Sequence, residues 1–468
     1  MNRILFLIFS LIICAFSFAQ ERPVIKEGLI EKKIDNNRFR DSLGNRTDTK
    51  SNRVLKNKDA TIDLYKIISH KNDTTYLDTT LTIKKEYKYN YLRKDDFDLI
   101  PFSNMGQTYN TLSYDFSGTG LMPDFAAQAR QFNFKRIEDI NYYYVPTPLT
   151  ELMYKTAFQQ GQLLESFFTV NTSKQFNFSI GYKGLRSLGK YQHILTSTGN
   201  FYFTTNYKTK NERYNFRGHV VMQDVMQEEN GGIRDEDIAN FESGNVEFLD
   251  RSVFDPLFEN AHGEIRGKRV HLDHSYNIVQ QKDSLRYNIL RVGSTITFRD
   301  KYYDYVQSSQ NENFGDAFSS SIFDKVTLED FYAEANVEFV NKNIGRLKTN
   351  IGYRDVNYGY NTLVSINGNN IPNRLIGNVI SFGAEYENTI GEFNINAKGG
   401  INISGDFDGN YLDAKVSYNI NKDIEVVGGL NINSRLPNYN FLLYQSNYLN
   451  YNWYNSFKNV QAKQLSFN

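Results

Sequence analysis

The chain has 468 residues, roughly three times a typical single domain, so either several domains or one large architecture accounts for it. Lys+Arg and Asp+Glu balance at 53 each, which leaves no basic excess for gripping nucleic acid or an anionic membrane surface. Aromatics reach 15%, as 33 Tyr, 35 Phe and one Trp, on a mean hydropathy of −0.54, too polar for a bundle of membrane helices. A polar mean with many aromatics fits residue-by-residue alternation of the two classes, the average expected of a transmembrane β-barrel.

In chain order, residues 1–19 read as a signal peptide. Arg3 supplies the cationic start, Ile4 to Ala15 the apolar run, and Ser17-Phe18-Ala19 the small residues before cleavage at Gln20. The apolar run is too short to span a bilayer as a helix. The single cysteine, Cys14, offers a rival lipoprotein signal, which the bulky Ile13 before it disfavours. Cleavage after Ala19 leaves no cysteine, and with it no disulfide, thiol catalysis or cysteine-ligated metal.

Residues 20–60 form a polar segment with little periodicity, read as flexible and periplasmic: a spacer, or an arm for a periplasmic protein partner. Residues 61–107 carry strand-like runs such as Leu64 to Ile68 and Tyr87 to Tyr91, expected to make a small periplasmic β-rich segment.

From Thr108 to the end one signal repeats. In Phe176 to Lys183, Phe176, Phe178, Ile180 and Tyr182 alternate with Asn177, Ser179, Gly181 and Lys183. Period two over eight to twelve residues is the strand period, at about the 9–11 residues a tilted barrel strand needs. Similar runs start at Thr108, Thr150, Gln162, Asn200, Tyr214, Arg269, Arg286, Phe331, Ile344, Arg374, Phe393, Leu412 and Ile424. The fold class expected is therefore all-β, an antiparallel transmembrane β-barrel of about 14 strands with an N-terminal periplasmic extension. A soluble β-sandwich or propeller is disfavoured, because no motif repeats at fixed period.

Asp408-Gly409-Asn410 and Asn421-Lys422-Asp423 read as hairpin turns, and Gln227 to Arg266 and Gln307 to Phe323 as the long connections. The apolar patch Val253 to Phe258 gives the longer one something to bury, and an expectation that it folds into the barrel as a constriction. After the Tyr/Asn-rich stretch Pro437 to Lys458 a strand is only beginning, so the chain is expected to stop short of closure.

Several blocks then resemble the putative-porin family of Bacteroidota outer-membrane β-barrel proteins. They are Val145 to Thr156, Phe168 to Tyr191, Gln227 to Gly232 and Phe441 to Trp453. The resemblance runs from about Asp73 to the end. It implies an exported barrel acting as a porin and brings no catalytic residues with it.

Residue patterns that could carry chemistry are few. His271 and Asp273 share a strand face, but His274 points away, too few ligands for a closed metal site. Asp406, Asp408 and Asn410 fit a turn better than a calcium loop. Glu228, Glu229, Asp235, Glu236 and Asp237 read as solvated loop acids. No nucleophile motif, phosphate loop or dinucleotide fingerprint is present, so neither an enzyme nor a cofactor is expected.

What remains is charge on the polar strand face. Lys183, Arg217, His219, Arg291, Arg354, Lys398 and Lys415 are expected to point inward with Glu334, Glu338, Glu385, Asp413 and Glu425. They are the candidate pore-lining residues of a channel in the outer membrane of a Gram-negative bacterium. Its expected partners are membrane lipid and small hydrophilic solutes or ions, not nucleic acid. The alternative is a plugged barrel in which the charges pair, serving a secretion or assembly complex.

Overall fold

The computed structural model describes residues 60–125, 132–157, 161–282, 287–366, 368–421 and 424–468. The signal peptide and nearly all of the polar segment expected after it lie outside the described residues.

Five short strands come first: β1 (Lys66–Ile68), β2 (Thr74–Tyr76), β3 (Leu99–Pro101), β4 (Tyr109–Thr111) and β5 (Tyr142–Tyr144). β2, β1 and β5 make a three-stranded sheet, and β3 pairs with β4. The main sheet then runs through β6 (Leu149–Ala157), β7 (Gly161–Asn171), β8 (Phe176–Ser187), β9 (Thr196–Lys208), β10 (Tyr214–Glu229), β11 (Ala261–Lys282), β12 (Tyr287–Gln307), β13 (Ile322–Asn341) and β14 (Gly345–Gly359). A small hairpin, β15 (Val364–Ile366) and β16 (Asn369–Ile371), interrupts it. The sheet resumes with β17 (Arg374–Ile390), β18 (Phe393–Gly405), β19 (Gly409–Asn419) and β20 (Glu425–Arg435). After the two-residue strands β21 (Leu443–Tyr444) and β22 (Trp453–Tyr454), β23 (Val460–Phe467) completes it. All neighbours are antiparallel, and the fourteen strands pair in chain order. The sheet is not closed, since β6 and β23 do not pair with each other.

Alternation explains why these residues make this sheet. In β8, Ile180 and Tyr182 are exposed while Asn177, Ser179 and Lys183 are buried. The same inversion recurs at Phe201, Val270, Ile296, Ile351, Phe382 and Leu412, all exposed on the outer face. An apolar outside over a polar inside is stable only where lipid replaces water at the outer face. Arginine at Ile351, which is 52% exposed, is therefore expected to destabilise the folded protein by about 2–4 kcal/mol. Urea unfolding from lipid vesicles measures it, and an unchanged midpoint would place Ile351 outside the hydrocarbon.

Two expectations need correction. The run Thr108 to Phe116 gives no sheet strand: only Tyr109–Thr111 is extended, paired with Leu99–Pro101. Gly118 and Gly120 follow it, and it is too short to cross a bilayer. The fourteenth strand is instead Val460–Phe467. The longest connection is also shorter than expected, 230–260 rather than Gln227 to Arg266, because β10 and β11 run on beyond their apolar stretch. There Glu264, Arg266 and Lys268 leave no apolar alternation for a sequence pattern to detect. Turns at 172–175, 209–213, 342–344 and 391–392 alternate with longer connections at 188–195, 230–260, 308–321, 360–373 and 436–459. Gly391, at φ +61°, sits in the two-residue turn between β17 and β18, where positive φ favours glycine.

Candidate functional site

The inner face of the sheet has two differently furnished halves. Over β7 to β11 it is covered by the chain that precedes the sheet, held by side chains reaching from the wall to backbone carbonyls. Arg217 donates from Nη1 to Ser69 O at 2.9 Å and from Nη2 to His70 O at 3.2 Å, and pairs with Asp273 at 3.2 Å. Its guanidinium also lies 5.2 Å from the Tyr142 ring centre. Lys183 donates to Tyr91 O and, at 2.8 Å, to Asn133 Oδ1. Arg269 caps the carbonyls of Lys135 and Arg136 at 2.9 and 3.0 Å, and Asn200 caps Asn133 O at 2.7 Å. Lys183, Arg217 and His219 are each 2% exposed.

Between Arg269 and Tyr142 the His219 ring has a fixed tautomer. Arg269 Nε can only donate, so His219 Nε2 accepts at 2.9 Å. The ring proton then sits on Nδ1, 2.9 Å from the Tyr142 hydroxyl. His271 stacks on His219 with centres 4.7 Å apart and bonds Thr297 Oγ1 at 2.8 Å. Among the described residues no three His, Cys, Asp or Glu side chains gather to hold a metal ion.

The same covering chain reaches the far wall. Asn433 donates to Phe116 O at 3.0 Å, Asn402 to Leu121 O at 3.0 Å, and Arg435 pairs with Asp124 at 2.6 Å. Toward the long connections, Met122, Phe125 and Phe134 join Val225, Ile265, Val326, Tyr358 and Phe407 of the wall in one apolar cluster. Tyr439, Leu442 and Leu443 enter it from the connection 436–459, and Tyr439 stacks on Tyr358 at 4.7 Å. The patch Val253 to Phe258 is no part of this cluster. Phe254 is buried against Phe241 and Phe248 of its own connection, and Val253 and Leu257 stay exposed.

On the second half, charged side chains face one another strand by strand. Arg291 pairs with Glu338 at 2.7 Å, and Arg346 reaches Glu338, Glu385 and Glu387 at 3.4, 3.5 and 3.0 Å. Lys348 lies 3.5 Å from Glu334, and Lys398 is 3.5 Å from Asp413. Asp330 takes Arg299 and, at 3.6 Å, Arg354. A cavity of about 310 Å³, lined in part by Glu334, Arg354, Glu385 and Tyr411, remains between this wall and residues 119–122.

All twelve residues expected to point inward stand on the inner-face parity of their strands. Lys183, Arg217 and His219 are covered; Arg291, Glu334, Glu338, Arg354, Glu385, Lys398 and Asp413 belong to the charged half. Lys415 and Glu425 are exposed toward the short turns. The sequence reading missed Arg299, Asp330, Arg346 and Lys348, although parity with Arg291, Glu334 and Arg354 marks them. It also missed the amides of Asn402, Asn431 and Asn433. Of the acids expected in the loop, Glu228 and Glu229 lie instead at the end of β10, where Glu228 accepts from Leu195 N at 2.9 Å; Asp406, in the turn after β18, accepts from Asn378 N at 2.8 Å.

A family model described as "Putative porin" matches residues 61–468. No curated protein matches the chain by sequence. Among solved structures, a mutant ferric enterobactin receptor of Pseudomonas aeruginosa in complex with enterobactin is similar at TM-score 0.43 and 7% identity, over 67% of this chain and 48% of that one. The unliganded ferric citrate transporter FecA gives 0.40 and 12%, over 64% and 46%. The toluene transporter TodX of Pseudomonas putida gives 0.26 and 10%, over 61% and 81%. The chain thus spans about half the length of the first two.

Proposed function

The chain belongs to the Putative porin family, and from that membership we propose an outer-membrane channel, without chemistry of its own, for passive diffusion of small hydrophilic solutes. The observation that carries this reading is the charged inner wall of β12 to β19, which keeps a polar cavity beside it. Solutes would pass along that wall, since over β7 to β11 the covering chain is tied to the inner face. Opposite charges alternate there, so selectivity between anions and cations should be weak. The apolar cluster around Tyr358 and Tyr439 would set a low size limit.

Single-channel conductance of the protein from outer membranes tests this, with small ohmic steps expected. Changing Lys398 and Lys415 together to Glu should shift selectivity toward cations. Unchanged selectivity in a conducting channel would mean these residues do not line the path.

The covering chain favours a second reading, a barrel closed at rest that serves as an accessory to a secretion or assembly complex. Reproducible silence from folded protein would support it, as would loss of a bound periplasmic protein on deleting residues 20–59. The porin reading expects normal conductance from that deletion.

A further inference from the structure

A second cavity, of about 620 Å³, lies between the covering chain and the inner wall of β6 to β9. Seven cationic and five carboxylate side chains line it, an excess of positive charge in a protein with none overall. Most of these charges are engaged. Lys85 pairs with Asp78, Lys94 with Asp139 at 2.5 Å, and Arg93 with Glu151 and Glu165 at 2.5 and 3.7 Å. Lys183 is held by Tyr91 O and Asn133 Oδ1.

Lys66, Lys88 and Lys135 line the cavity without a carboxylate partner among the described residues, and of these Lys135 is the one set over the aromatic ring of Tyr202. Its ammonium lies 5.1 Å from the centre of the Tyr202 ring, and among the described residues no carboxylate pairs with it. Burial pushes its pKa below the usual lysine value, a cost that a bound anion would reverse. Beside it Phe167 stacks on Tyr202 at 6.3 Å and meets Tyr143 at 4.6 Å, giving a continuous aromatic wall. Glu165 Oε2, the atom 3.7 Å from Arg93, is buried and accepts no hydrogen bond. A free cation, an aromatic wall and a carboxylate oxygen lacking a donor ask for three features in one ligand: an anionic group, a compact carbon body and a hydroxyl. The volume lies within the range of small-molecule sites.

We propose that this chamber binds a small hydroxylated organic anion, a sugar acid or sugar phosphate, with the anionic group on Lys135, the ring against Phe167 and Tyr202, and a hydroxyl donating to Glu165. The proposal deepens the channel reading and rests on it for the supply of solute from outside.

Isothermal titration calorimetry of the full chain in detergent tests it, with glucose 6-phosphate and glucuronate as probes and glucose and inorganic phosphate as their separate halves. Either or both hydroxylated anions should bind at least about tenfold more tightly than glucose or phosphate. Binding of one alone identifies which anionic group the chamber takes. Lys135→Gln should weaken the tighter probe about tenfold, while Lys174→Gln in the exposed turn 172–175 should not. Equal binding of glucose and glucose 6-phosphate, binding of inorganic phosphate alone, or no binding overturns the proposal on the wild-type chain, whatever the variants' folding. Wild-type affinity in folded Lys135→Gln overturns it too. Conductance of the same sample separates the two readings. Anion binding by a silent protein keeps the chamber and removes the channel; ohmic steps without binding do the reverse.

Discussion

Replacing Arg217 with methionine frees the covering chain from the wall. The substitution removes two charge-assisted hydrogen bonds, leaving the His70 carbonyl without its side-chain donor while Ser69 O keeps the Asn72 amide, and it strips Asp273 of its partner. Breaking a fully buried pair from one side costs about 3–5 kcal/mol, and the partial exposure of Asp273 puts this pair below that range. The lost energy falls on the contact between residues 60–148 and the sheet, since the pairing of β10 with β9 and β11 does not involve the side chain. Faster tryptic cleavage after Lys71 and Lys135 is therefore expected, with the sheet still folded. If the covering chain also limits flow, conductance rises in the same variant. Arg213→Met, in the exposed turn 209–213, should change neither by more than about 0.5 kcal/mol equivalent. Unchanged cleavage of the Arg217 variant would show that the carbonyl contacts do not hold the segment.

Glu338→Lys has the second large effect. The carboxylate is buried between Arg291 and Arg346 and faces Lys348 on the next strand. A lysine there sets a fourth cation among three that are only partly exposed, where screening is weaker than at a free surface. The penalty should exceed the roughly 3–5 kcal/mol of merely losing the carboxylate. The variant is expected not to give the compact, heat-modifiable band of a folded barrel on a gel, and Glu338→Gln should give it in reduced yield. Glu425→Lys, at the exposed end of β20, should fold as the parent does. Normal folding of Glu338→Lys would mean that the row of charges is not coupled.

Much of the sheet was legible because lipid on one side and a polar interior on the other print a period of two. Phe176 to Lys183 and Leu412 to Ile420 carry that print cleanly, and the structure places them as β8 and β19. The print fades where both faces leave the hydrocarbon, so the upper part of β11 with Glu264 and Arg266 carries no strand pattern in the sequence. The parity of Lys183, Arg217 and their companions was legible for the same reason as the strands. Their partners were not. Arg217, Lys183 and Arg269 donate to backbone carbonyls of Ser69, Tyr91 and Lys135, and a carbonyl is the same at every residue, so no side-chain pattern announces it. Nor does any local signal show that Met122, Phe125 and Phe134 will meet Tyr358 and Tyr439 across the interior.

The facing charges on the second half also act as a proofreading code for assembly. Shifting a strand by one residue turns its apolar side inward and is rejected by alternation alone. Shifting it by two keeps every side chain on its proper face, so alternation cannot detect the error. The charges can. In the native alignment Arg291, Glu338, Lys348, Glu385, Lys398 and Asp413 stand opposite one another across six strands. Displaced by two, Arg291 meets Asn336 or Val340, Glu385 meets Asn396 or Gly400, and Lys398 meets Tyr411 or Lys415. A wall whose apolar side is nearly uniform thus carries on its polar side the information that tells one strand alignment from the next.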